Sequence, residues 1–120
     1  MEKDMLAQYG IDYEKGLKNC MGNPIFYQKI MTMFLADTNF PRAKAAWEYQ
    51  DQSVLFACLH ELKGISGNAA LTELYQATVP LLELTRKPNA PFDEVGKLFS
   101  AVERAYARAC DGMKRYLMDY

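Results

Sequence analysis

Residues 59–70 read LHELKGISGNAA and hold the single histidine of a 120-residue chain. On a helix successive side chains are about 100° apart, so Phe56, Ala57, Lys63, Gly64 and Gly67 share the side of His60. Leu62 points nearly opposite; if it faces the core, the imidazole faces water or a partner. Each glycine costs a helix interior roughly 1 kcal/mol relative to alanine. Two of them beside one imidazole clear room for a large group to come close. Lys63, three residues on, can bring its ammonium over the ring. A fixed cation there would stabilise an anionic group gathered at the imidazole and keep a ring nitrogen unprotonated and nucleophilic. That combination suits phosphoryl acceptance. A lone helical histidine is also commonly just a polar surface residue, and spacing by itself leaves both readings standing.

Other chemistries find little here. One histidine cannot build a His-rich metal site, and Glu61 points about 100° away from it around the helix. Cys20, Cys58 and Cys110 are odd in number, widely spaced and without a CxxC pair, which argues against a disulfide framework or a zinc knuckle. Three reduced thiols are expected, Cys58 packing as a small apolar residue. There is no phosphate-cradling loop of Walker type and no glycine-rich ATP lid. No cofactor and no metal are expected, and any phosphoryl group must come from a partner. Eight tyrosines and six phenylalanines fit packing between helices better than a cofactor pocket.

The composition narrows the partners. A formal net charge of −1, with no polybasic run, gives no general affinity for nucleic acid. No apolar segment approaches the ~18 residues that span a bilayer. The opening MEKDMLAQYG is charged and lacks a signal-peptide core. A cytoplasmic protein that does not engage membranes is expected.

The elements that must position His60 read as helices throughout. A stripe of Phe92, Val95, Phe99, Val102, Tyr106, Ala109, Met113 and Tyr116 recurs at three or four and predicts one long C-terminal helix. Asn23–Pro24 resembles an N-cap followed by proline at the first helical position, opening a helix with Tyr27, Ile30 and Phe34 on its stripe. A break near DTNFP leads to a segment carrying Ala43, Ala46 and Trp47. Asp51 caps the histidine helix, on which Leu55, Leu59, Leu62 and Ser66 share the buried face. Ser66 is therefore a packing residue rather than a second nucleophile. The next helix carries Leu71, Leu74, Thr78, Leu81 and Leu84 or Thr85, and Pro80 inside it should kink or interrupt it. RKPNAPFD, 86–93, is the clearest loop. With no β-type alternation, the fold class is all-α: a single domain over 1–120, suggesting an antiparallel bundle.

These residues resemble a known family. HELKGISGNAAL, 60–71, is similar to the signature of histidine-containing phosphotransfer domains, H-x-L-K-G followed by small residues, matched by His60, Leu62, Lys63, Gly64, Ser66 and Gly67. IDYEKGLKNCMGNPIFYQKIMTMF, 11–34, is similar to the family's opening at Ile11, Asp12, Gly16, Leu17, Gly22, Tyr27 and Phe34. The resemblance spans essentially the whole chain. It implies an antiparallel four-helix bundle with an additional N-terminal helical segment. His60 would be the phosphoacceptor, loaded from a receiver domain's aspartyl phosphate, with Lys63 assisting electrostatically, Gly64 clearing the approach and Gly67 keeping the next turn open. The chain departs from the pattern at Ala70, where many members have glycine. It departs again at Leu82, where many place a Gln or Glu that orients the imidazole. Either Glu83 substitutes through a distortion at Pro80, or the ring has no such partner.

The expected function is that of a phosphorelay intermediate between receiver domains of response regulators or hybrid kinases, monomeric and without kinase activity of its own. Two other readings stand beside it: a helical docking module that is never phosphorylated, and the phosphoacceptor module of a chemotaxis-type kinase. Docking would use the surface of Phe56, Ala57, Gly64 and Gly67 around His60. A Phe at a bundle seam, as Phe56 is, belongs more often to the core.

Overall fold

The structure is a computed structural model that describes residues 1–118. A 3-10 helix over Lys3–Tyr9 is followed by six α-helices: α1 Tyr13–Asn19, α2 Pro24–Ala36, α3 Asn39–Glu48, α4 Gln52–Asn68, α5 Thr72–Arg86 and α6 Phe92–Met118. The fold is all-helical, and no strand occurs among the described residues. The 27 residues of α6 reach about 40 Å at 1.5 Å per residue, and they set the long axis of a molecule measuring 44 × 22 × 20 Å.

Helix starts follow local chemistry. Asn23 Oδ1 accepts from the amides of Ile25 and Phe26 at 3.0 and 3.1 Å, with Pro24 filling the first helical position. Asp51 Oδ1 accepts from Val54 N at 3.2 Å and opens α4; Asp12 does the same for α1 through Lys15 N. Helix ends use the left-handed region. Gly10 takes φ 74, while Gln50 after α3 and Ala70 after α4 take φ 56 and 57 without being glycine.

Each of α3, α4 and α5 packs on the helix that follows it. Side chains of α3 also meet α6: Phe40 stacks on Phe99 with ring centres 5.8 Å apart, and Lys44 pairs with Glu103 at 2.8 Å. Between them lies a leucine-rich core including Leu55, Leu59, Leu62, Leu74, Leu81 and Leu82. Burying each such side chain contributes roughly 1.5–3 kcal/mol.

The expected faces of α4 and α5 hold, Ser66 and Thr78 included. Three expectations are corrected. Pro80 does not interrupt α5, which is continuous from Thr72 to Arg86. Pro80 and Gln76 are both exposed, so the carbonyl left without its amide partner faces water rather than core. The loop is shorter than 86–93, because Arg86 closes α5 and Phe92 opens α6. Phe92 also leaves the buried stripe of α6: it is 51% exposed and stacks on Trp47 with centres 4.4 Å apart.

The N-terminal helical segment comes in two pieces. The 3-10 helix packs on α6, and α1 follows it. Gly16 of α1 lies so close to Tyr27 that a Cβ there would fall 2.0 Å from the ring. The Tyr27 hydroxyl donates to the Ala69 carbonyl at 2.6 Å, and Asp12 N donates to the Ala70 carbonyl at 3.0 Å. The end of α4 is thereby tied to α1 and α2.

Candidate functional site

His60 sits near the middle of α4 and is exposed, while Leu59 and Leu62 beside it are fully buried. The helix is anchored by its leucine face, so the imidazole is presented outward on rigid backbone. Among the described residues nothing hydrogen-bonds to the ring. Phe56, one turn earlier, is its aromatic neighbour among the described residues, with ring centres 6.3 Å apart and planes tilted by 35°.

Lys63 is half-buried and makes no ion pair among the described residues, which leaves its ammonium available to an incoming anion. Ser66 is fully buried, and its hydroxyl donates to the Lys63 carbonyl at 3.1 Å. It takes no part in surface chemistry. Ala57 is exposed beside His60 and adds only a small methyl.

The two glycines have different surroundings. A Cβ built on Gly64 would meet nothing within 4 Å. Packing does not require glycine at that position. At Gly67 a Cβ would stand 3.3 Å from the Tyr75 ring of α5, so this glycine serves helix–helix contact as well as any open surface.

Phe56 is half-buried, between the two roles considered for it. The Arg86 guanidinium lies over its ring at 5.4 Å, in cation–π range, and also bonds Glu83 Oε1 at 3.3 Å. Glu83 is thus committed to Arg86. Leu82 is fully buried in the core, so neither residue supplies a hydrogen bond to the imidazole.

Sequence reasoning missed Arg86, which it assigned to a loop, and an exposed apolar row on α2. Ile25, Phe26 and Met33 are 67%, 42% and 66% exposed, while Tyr27, Met31 and Phe34 are buried. The signal lay in the pattern: these three fall off the i, i+4, i+7 stripe that faces the core. Between α2 and α4, Ile30, Met33 and Phe34 line a shallow groove with Ile65 and Ala69, which lie C-terminal to His60.

Cys58 lies two residues before His60 but faces the core; burial pushes its thiol above the ordinary cysteine value, as it does for Cys20 and Cys110. Among the described residues no three His, Cys, Asp or Glu side chains come together to hold a metal ion. None of the described helices is long and apolar enough to cross a membrane. Comparison with family models, curated proteins and solved structures finds no match to the chain.

Proposed function

We propose that the protein is a phosphorelay intermediate of the histidine-containing phosphotransfer kind, with α3 to α6 as its antiparallel four-helix bundle. His60 accepts a phosphoryl group from a receiver-domain aspartyl phosphate and passes it to another receiver, or back. The observation that carries this reading is Gly64. A glycine in mid-helix costs stability, and with open space around its Cβ position no neighbour among the described residues accounts for it. A partner approaching the imidazole does.

In this mechanism the unprotonated ring nitrogen attacks phosphorus in line. The N–P bond forms as the P–O bond to the aspartyl group breaks, and the aspartate leaves as a carboxylate. The receiver brings its own acidic pocket and metal ion; this chain brings the nucleophile, the Lys63 charge and the docking surface. Rigid presentation of the ring supplies orientation, and Lys63 stabilises charge on the transferring oxygens.

The test is phosphoryl transfer from receiver domains loaded with acetyl phosphate, run beside His60→Gln. Label that is stable to base, labile to acid and absent from the variant supports the relay. A receiver that binds both proteins while neither takes label would instead make this a docking module without the chemistry.

A further inference from the structure

Phe56 stands between two groups of opposite destiny. Its ring contacts the imidazole on its own helix and carries the Arg86 guanidinium from α5, so cation and acceptor are held one aromatic ring apart. Arg86 is the last residue of α5 and its side chain is 53% exposed, so water reaches the guanidinium over that ring. Its present partner is a single oxygen of Glu83, three residues back on the same exposed helix surface. Pairs of that kind are weak, because water screens both charges and two long side chains must be ordered. A phosphoryl group on a ring nitrogen is a stronger attractor. It carries close to two negative charges and three acceptor oxygens that match the guanidinium fork.

Resting on the proposed phosphorylation of His60, we infer that Arg86 is a second phosphoryl-binding cation and Glu83 its competitor. Phosphorylation draws the guanidinium off Glu83, across the face of Phe56, onto the phosphoryl oxygens. When the group departs, Glu83 takes the guanidinium back. Lys63 from α4 and Arg86 from α5 then hold the group from two helices, and the Glu83–Arg86 pair sets how long it stays. In the resting phosphoprotein the guanidinium binds the phosphoryl group with no nucleophile held in line, so it stabilises the ground state, and the lifetime of phosphohistidine reports the contact.

The experiment uses the full chain phosphorylated with phosphoramidate, which needs no receiver. The reagent's P–N bond breaks as the imidazole N–P bond forms, and ammonia leaves with a proton. Half-life and the ³¹P pH titration are compared for wild type, Glu83→Gln, Arg86→Gln, Arg86→Lys and the Glu83→Gln/Arg86→Gln double variant, with helicity checked for each. Expected are a half-life about threefold shorter for Arg86→Gln, partial rescue by Arg86→Lys, and one about twofold longer for Glu83→Gln. The phosphoryl titration midpoint should rise in Arg86→Gln and fall in Glu83→Gln. Equal half-lives and midpoints across the set overturn the inference. So does a Glu83→Gln effect that persists undiminished without Arg86, because Glu83 would then act by its own repulsion. A protein that shows the expected variant effects yet takes nothing from receivers leaves this contact standing and sinks the relay.

Discussion

At the scale of single residues, the two glycines after His60 look alike in sequence and differ in space. Gly64 has an open Cβ direction, and Gly67 faces Tyr75 at 3.3 Å. Gly64→Ala should therefore stabilise the fold by up to about 1 kcal/mol, the ordinary helix propensity difference. Gly67→Ala should gain less or lose stability, because the tyrosine ring must yield. Urea denaturation of the two variants checks this, and equal gains would contradict it. The same Gly64→Ala protein should transfer phosphoryl groups more slowly than wild type despite being more stable. That split separates a residue kept for approach from one kept for packing. Glu83 shows the same limit of one-dimensional reading: as a free carboxylate it was a candidate to orient His60, and in three dimensions it is held by Arg86.

At the scale of elements, one side chain closes the loop between α5 and α6. The Gln52 amide nitrogen donates to the carbonyls of Thr85 at 3.0 Å and of Lys87, and its oxygen accepts from Ala90 N at 3.0 Å. The first turn of α4 is thereby bound to the end of α5 and to residues 87–91. Gln52→Ala removes all of these and should cost roughly 1–2 kcal/mol, since part of what is lost is regained from water. Hydrogen exchange should accelerate at residues 87–91 before it does elsewhere; uniform protection throughout would refute the clasp. The loop anchors the Arg86 end of α5, so this contact also bears on the surface beside Phe56.

For the whole molecule, the acid–base balance of the core sets its tolerance of high pH. Burial raises the thiols of Cys20, Cys58 and Cys110 above 9.0, and raises the phenols of Tyr27 and Tyr106 well above 10.0. These groups stay protonated in the folded chain at a pH where the unfolded chain ionises. The unfolded state then binds fewer protons, so stability falls as pH rises. The contribution is complete below about pH 8 and declines through about pH 9–10, where free thiols and then phenols titrate. Urea midpoints at about pH 7 and pH 10 should differ in that direction, with the difference reduced in Cys58→Ala measured against its own pH 7 value. A midpoint that is level or higher at pH 10 would be the opposite result.

Local rules made much of this molecule legible in sequence. Caps at Asn23 and Asp51, the buried faces of α4 and α5, and the outward direction of His60 all follow from side-chain chemistry within one or two turns. The all-helical class follows from apolar periodicity, which needs no knowledge of neighbouring helices. What depended on neighbours had to wait for the tertiary structure. Pro80 stays within α5 on an exposed face, Phe92 leaves its stripe to stack on Trp47, and Gly67 meets Tyr75. Arg86 joins the His60 surface only because α5 packs on α4 and sets its guanidinium over Phe56. Spacing along a helix determines which way a residue points; only packing between helices decides what it meets there.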